Sequence, residues 1–463
     1  MTPIEQQVDK ARAAQKRFAE TGRNQRAALL EAYAAALSAA RDTLAQAVMD
    51  DAKKTTRDAS AEVSGAIDII GKTIRDTALP DLNDMARERI RPAVGVVGLI
   101  TSFNFPVAVA HWTMAPALLA GNAVLWKPSE KTPAVALLCK NIWDHVAGEW
   151  KDLLHTVSGN REAGAALVAH EGVDMISATG SVAMGEAIKK TLAAKKNNRV
   201  PPILELGGNN AVVIAREMND AHLAFAMTAI FSSFLASTGQ RCTNTRRLFV
   251  HEKWFEKAVA EAKRLLTDFI KGEMKNSDNN YNYRALVDED AEARFAAART
   301  QAEKEGGKIF PSTTEQGEAR SGGGLGVKTP TQEKNNEPIL AIMPTQTPIM
   351  HTETFAPLLY IAPYMGDIAA AMALVNAPDN AGLVNGIYTL SKEEAERFAE
   401  LNEAGHGVIN SPKGTGTPAF GMGFGGTKAS GTGEILWGMD PLAAFSRTSP
   451  IRRIATNKQI PLA

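Results

Sequence analysis

The chain has 463 residues, 51 Lys and Arg against 51 Asp and Glu, and 44% apolar composition. That length suggests roughly two or three domain-sized units with ample core, and zero net charge removes any global attraction to nucleic acid or an anionic membrane, so a bound phosphate must be held locally. Two cysteines cannot build a disulfide framework and point to a reducing, cytoplasmic compartment.

Thr2-Pro3-Ile4-Glu5 opens a helix with a capping oxygen, Pro in the first turn and Glu three residues after Thr. Ala-rich helical sequence continues to about Thr77, and its charged start lacks the apolar core of a signal peptide. Residues 80–93 read as a hairpin or connecting strand. No Asp, Glu, Lys or Arg then appears from Pro92 to Trp126, a run long enough to span a bilayer. Thr101, Ser102, Asn104, Pro106, His111, Pro116 and Asn122 break it into strand, loop, short helix and strand, which is the pattern of a buried α/β segment in a soluble chain.

Strand-like runs at 94–100, 123–128, 153–158 and 173–178 alternate with helical stretches at 132–148, 160–170 and 181–190. Apolar strands joined by helices indicate a parallel sheet covered on both faces, with ligand sites at the carboxyl ends of its strands. A second α/β series starts near Asn209: a strand at 211–215, a long apolar helix ending near Thr238, and a strand at 246–251. Segment 272–336 reads as a strand-poor surface excursion with one charged helix. Strand character returns at 341–345, 355–364 and 407–412, and a Gly-rich loop follows.

Cys242, in Gly-Gln-Arg-Cys between the apolar helix and a strand, occupies a loop position that can face a cleft, with Arg241, Arg246 and Arg247 nearby in sequence. It reads either as a nucleophile, reactive as the thiolate, or as a small buried hydrophobe. Cys139, inside a helical run, reads as inert core. Glu205, where an apolar strand meets Gly207-Gly208, is either a desolvated general base or a strand-end carboxylate bound to backbone N–H groups. Gly180-Ser181 and Ser158-Gly159 each follow a strand and open a helix, a turn able to present N–H groups to phosphate. Neither a complete G-x-G-x-x-G nor a Walker A is present, and the eight histidines show no metal-ligand spacing.

In order and spacing, TSFNFPVAVAHWTMAPALLAGNAVLWKPSEKTP, ISATGS, LELGGNN, GQRCTNTRRLFVH, HTETFAPLLYI and FGMGFGGTKASG resemble the aldehyde dehydrogenase superfamily, with spelling nearest to the antiquitin-like branch. The resemblance implies a Rossmann-type cofactor domain (1–79 and 94–208), an α/β catalytic domain (209–408), a bridging and oligomerisation element (80–93 and 431–463) and a substrate- and cofactor-side loop (409–430). It makes Cys242 the nucleophile, Asn104 with the Cys242 N–H the oxyanion hole, and Glu205 the activator of water. Lys127 and Glu353 hold the cofactor riboses, Ser181 meets the pyrophosphate, Gly159 and Gly180 belong to the cofactor site, and Phe355 packs at the nicotinamide end. Glu130, with Ser129 beside it, would accept from the adenosine 2′-hydroxyl and repel a 2′-phosphate, which favours NAD without excluding NADP.

The implied partners are a small aldehyde and further copies of the chain, as a homodimer or homotetramer whose C-terminal 444–455 could add a strand to a partner's sheet; neither nucleic acid nor membrane is expected. Ala178 and Ala356 depart from the superfamily's usual Phe and Gly, and 411–424 departs from the antiquitin-like substrate loop. A CoA-acylating variant, a non-redox thiol esterase and a catalytically silent scaffold are the competing expectations.

Overall fold

The computed structural model describes residues 3–76, 93–196, 200–271, 284–311, 337–377, 381–416 and 424–432, and the backbone of strand Arg453–Thr456. They divide between two compact units, one running to Leu206 with Phe424 and Gly425, the other from Gly207 onward. Most of the expected 80–93 element, much of 272–336 and 431–463, and residues 417–423 of the loop lie outside the described residues.

The first unit opens with four helices, α1 (Pro3–Ala19), α2 (Arg23–Ala39), α3 (Arg41–Ala52) and α4 (Thr56–Asp76). Strand and helix then alternate: β1 (Val96–Ile100), α5 (Ala108–Leu119), β2 (Ala123–Lys127), α6 (Pro133–Val146), β3 (Leu154–Thr156), α7 (Arg161–Ala169), β4 (Met175–Thr179), α8 (Val182–Ala194) and β5 (Ile203–Glu205). The sheet is parallel with order β3-β2-β1-β4-β5. Every residue of β1 and β2 is buried, which is why neither strand alternates polar with apolar. Each fully buried Val or Leu there stabilises the unit by about 1.5–3 kcal/mol relative to exposure. The charge-poor segment thus becomes β1, α5 and β2, and α5, at 12 residues with Pro116 inside it, is too short to span a bilayer.

The second unit contains β6 (Ala211–Ile214), α9 (Asp220–Leu235), β7 (Arg247–His251), α10 (Glu252–Ile270), α11 (Glu289–Lys304), β8 (Lys308–Phe310), β9 (Ile339–Ile342), β10 (Leu358–Tyr364), α12 (Ile368–Asn376), β11 (Val384–Tyr388), α13 (Lys392–Leu401), β12 (His406–Ile409) and β13 (Arg453–Thr456). Its sheet runs β13-β12-β11-β6-β7-β10-β9-β8, with only β8 antiparallel to its neighbour among the described strands. The apolar run Asp220–Gly239 has the length and composition of a membrane span, yet 67% of it is buried inside the unit, the condition of a core helix.

One expected strand needs correction, and β11 and β13 add to the expected set. β9 ends at Ile342 rather than running on to 345, since Pro344 offers no N–H to continue the ladder. β11 reads poorly in sequence because Asn385 and Gly386 interrupt it, although it lies between β6 and β12. Gly386 fits there because even a methyl would sit 3.1 Å from Val408 and 3.5 Å from Val212. Asn385 is consumed by Ala211 N–H at 3.2 Å and Asn402 Oδ1 at 3.0 Å. β13, finally, pairs with β12 of its own chain in the register His406↔Arg453.

Candidate active site

The first unit's strand order reverses between β1 and β4, and such a reversal opens a crevice at the carboxyl ends of a parallel sheet. Eight of the expected site residues lie along that edge. Asn104 follows β1, Lys127 ends β2 with Ser129 and Glu130 after it, Gly159 follows β3, Gly180 and Ser181 follow β4, and Glu205 ends β5.

Asn104 is buried, and Ser102 Oγ donates to its Oδ1 at 2.7 Å, which makes Nδ2 the donor end of the amide. The chain beyond it is tied down where α5 begins. Glu62 Oε1 accepts from the N–H groups of Val107 at 2.8 Å and Ala108 at 3.3 Å, satisfying donors a helix start leaves unpaired. Lys54 Nζ meets the other Glu62 oxygen at 2.7 Å and lies 3.7 Å over the Phe105 ring.

Lys127 is buried and its ammonium reaches Glu130 Oε2 at 2.8 Å. Burial raises the Glu130 carboxyl, but the Lys127 bond and charge outweigh it and leave the group below its ordinary value. Ser129 Oγ accepts from Lys131 N–H at 3.3 Å, so its hydroxyl oxygen also shapes the turn into α6. Gly159, at φ +132°, precedes Asn160, which caps α7 through Glu162 N–H at 3.0 Å. Ser181 caps α8 through Met184 N–H at 3.2 Å. Glu205 is buried, and its carbonyl accepts from Gly180 N–H at 3.0 Å.

Cys242, Glu353 and Phe355 belong to the second unit. The turn Ala236–Gly239 holds Ser237 and Thr238 at φ 50° and 57°, uncommon for residues with a side chain. At Gly239, φ +70°, an added Cβ would lie 2.4 Å from the Ala356 backbone. Asn244 braces this loop, accepting from Arg241 N–H at 2.6 Å and donating to Ala236 O at 3.1 Å. Asn210 Nδ2 donates to the carbonyls of Cys242 at 2.7 Å and Asn244 at 2.8 Å. Cys242 is half-buried, as a reactive thiol must be to meet a substrate.

Glu353 Oε1 accepts from Gly208 N–H at 3.1 Å, and a Cβ added at Gly207 would fall 2.1 Å from Glu353 Oε2, so a side chain there would displace that carboxylate. Burial raises the Glu353 carboxyl above its ordinary value, with Arg246 and the Gly208 N–H pulling the other way. Phe355 adopts φ 56°. Within the first unit the donors suit a dinucleotide: Lys127 and Glu130 can bond ribose hydroxyls, and the turns that open α7 and α8 suit phosphate.

A sequence model of the aldehyde dehydrogenase family matches residues 2–449. The chain belongs to this family. It is 32% identical over 459 residues to N-succinylglutamate 5-semialdehyde dehydrogenase 1 of Caulobacter vibrioides, covering 96% of this chain and 92% of that one. It is 29% identical over 476 residues to alpha-aminoadipic semialdehyde dehydrogenase of Bos taurus, covering 100% of this chain and 83% of that protein. Its fold is similar to the crystal structure of the NADP-dependent glyceraldehyde-3-phosphate dehydrogenase of Bacillus halodurans complexed with NADP, at TM-score 0.78 and 25% identity over 96% of this chain and 89% of that one. The chain is accordingly an NAD(P)-dependent aldehyde dehydrogenase. A non-redox thiol esterase and a silent scaffold find no support in these similarities.

Sequence reasoning missed the residues that hold the site together. Asn210 and Asn244 brace the cysteine loop, Ser102 orients Asn104, Glu62 with Lys54 anchors the segment after it, and Arg246 bonds Gly208, Gly239, Arg241 and Glu353. A signal existed for Asn209-Asn210 and Arg246-Arg247: polar pairs at the start of otherwise apolar strands.

Proposed function

We propose that this aldehyde dehydrogenase oxidises a semialdehyde to the acid, with NAD in preference to NADP, through Cys242. The reading is carried by Cys242 being a half-buried thiol on a braced loop while the other cysteine, Cys139, is sealed in the core. The Cys242 thiolate attacks the aldehyde carbon, a C–S bond forms, and the carbonyl electron pair moves to oxygen. Asn104 Nδ2 and the Cys242 N–H hold that oxyanion, the kind of contact whose removal costs about 10²–10³ in rate. NAD(P), when bound, supplies the hydride acceptor. Collapse of the thiohemiacetal at Cys242 re-forms the C=O bond and leaves a thioester. Glu205 takes a proton from water as the water oxygen attacks that thioester, and the thiolate departs. A carboxylate in this role favours water over CoA as the acceptor.

The ionised Glu130 places negative charge where a 2′-phosphate would sit, which disfavours NADP. Both relatives are named for semialdehydes, and Arg241 and Lys413 supply positive charge suited to a terminal carboxylate. NADH formation should fall at least about 10³-fold in Cys242→Ala, while Glu205→Gln should release about one NADH per chain and then stall as the thioester persists. Undiminished turnover in Cys242→Ala would sink the assignment.

A further inference from the structure

We propose that Arg246 is a positioning residue: one buried guanidinium that ties the Cys242 loop to Glu353 and so sets nucleophile and cofactor carboxylate together. The inference rests on the roles given above to Cys242 and Glu353. Arg246 stands immediately before β7, almost wholly buried, with its N–H donating to Asn210 O at 3.0 Å. Its side chain gathers three separate segments. Nε donates to Gly208 O at 3.3 Å, Nη1 to Gly239 O at 2.9 Å and Ala356 O at 3.5 Å, and Nη2 to Arg241 O at 2.8 Å. The same Nη2 reaches Glu353 Oε1 at 3.5 Å, and the guanidinium carbon lies 5.3 Å from the Phe355 ring centre.

A charge in such a place gives up its hydration, and carbonyls alone could be satisfied by a neutral donor. Glu353 and the Cys242 sulfur are the nearby groups that reward a cation. Burial pulls Arg246 below its ordinary value, and Glu353 and then Cys242 act against that pull.

The next residue supplies the contrast. Arg247 is equally buried, yet it bonds Asn209 O at 2.8 and 2.9 Å, Val375 O at 3.1 Å, Leu374 O at 3.3 Å and Gln346 Oε1 at 3.3 Å. Two of those carbonyls belong to the last turn of α12, where a cation offsets the helix dipole. Arg247 therefore holds the fold, and Arg246 holds the site.

The test uses the full chain with Arg246→Lys, Arg246→Met and Arg247→Lys. Three readouts are taken: alkylation of Cys242 by iodoacetamide at pH 7 without cofactor, followed by peptide mass spectrometry; NADH binding by fluorescence titration; and thermal unfolding. Arg246→Met should slow Cys242 alkylation about tenfold, the equivalent of one pKa unit, and weaken NADH binding. Arg246→Lys keeps the charge but loses the planar fork, so alkylation should stay within about twofold of wild type while NADH affinity falls about fivefold or more. Arg247→Lys should unfold at lower temperature with both site readouts unchanged.

The proposal is overturned if folded Arg246→Lys binds NADH as tightly as wild type, or if folded Arg246→Met alkylates at the wild-type rate. Neither readout depends on turnover, so an active Cys242→Ala enzyme would refute the nucleophile assignment separately.

Discussion

Cys139 sits on α6 with no exposed surface, among neighbours from α2 and α5. Tyr33 Oη donates to its carbonyl at 3.3 Å, His111 Nε2 bonds Tyr33 Oη at 3.0 Å, and the Tyr33 and Trp143 rings meet edge-on at 5.3 Å. Cys242 lies instead on a loop held by Asn210, Asn244 and Gly239. Burial first, and the Glu62 charge second, push the Cys139 thiol up to about 12. Burial also raises Tyr33 and lowers His111 to about 4. The interior region keeps Cys139, Tyr33 and His111 neutral at pH 7, whereas the loop that carries Cys242 has its Gly239 and Arg241 carbonyls bound to the buried Arg246 cation. Identical side chains become filler or reagent according to what surrounds them.

The largest expected effect sharpens this contrast directly. In the native protein at pH 7, iodoacetamide should modify Cys242 at least about 10³ times faster than Cys139, because a thiol titrating near 12 holds roughly 10⁻⁵ of its population as thiolate. Mass spectrometry of native and denatured samples would check this, with Cys139 becoming reactive only on unfolding. Comparable native labelling of both cysteines would erase the distinction.

A glycine pair tests whether the loop geometry matters as much as the charge. An added Cβ at Gly208 would lie 2.4 Å from the Cys242 carbonyl oxygen and 2.9 Å from Asn210 Oδ1. Gly208→Ala should therefore displace the cysteine loop, lowering kcat about 10²-fold and costing about 1–3 kcal/mol in stability. Gly65, within α4, has nothing within 4 Å of such a Cβ, so Gly65→Ala should stabilise by about 0.5–1 kcal/mol at unchanged kcat. Steady-state kinetics and denaturant melts on the two variants decide; equal behaviour would mean that the loop tolerates movement.

The legible part of this molecule is the part governed by local pattern. The charge-poor run became β1, α5 and β2 because Asn104, Pro116 and Asn122 punctuate it, and the first unit's expected site residues, several of them given by resemblance alone, lie after or at the ends of β1 to β5. Glu205 stood out as a carboxylate inside an apolar strand. β11 stayed hidden since the reasons for Asn385 and Gly386 lie on neighbouring strands, far away in sequence. Arg246 was visible only as local positive charge: its partners at Gly208, Gly239 and Glu353 are brought together by the sheet, and no spacing rule connects them. Glu62 and Lys54 are similar, a buried pair on or near α4 whose purpose is the start of α5.

A pH series tests the interior region by itself. His111 bonds Val107 O through Nδ1 at 2.7 Å and Tyr33 Oη through Nε2, and burial lowers it to about 4, only partly opposed by the Val107 carbonyl. Above about pH 6.5 the imidazole is neutral in the folded and unfolded chain alike, so the stability of this region is present in full. As pH falls from there towards 4, the unfolded chain binds a proton that the folded chain refuses, and stability drops by about 3 kcal/mol over that window. Other histidines held low by burial, His155, His222 and His351, push in the same direction, so the informative quantity is a difference between variants. Denaturant unfolding of wild type and His111→Gln at several pH values between 4 and 7 supplies it. The variant should be less stable at pH 7, having lost a fitted bond pair, but should lose less on acidification. Parallel pH profiles would mean that His111 accepts a proton in the folded chain, and that the region around Cys139 is more polar than its packing implies.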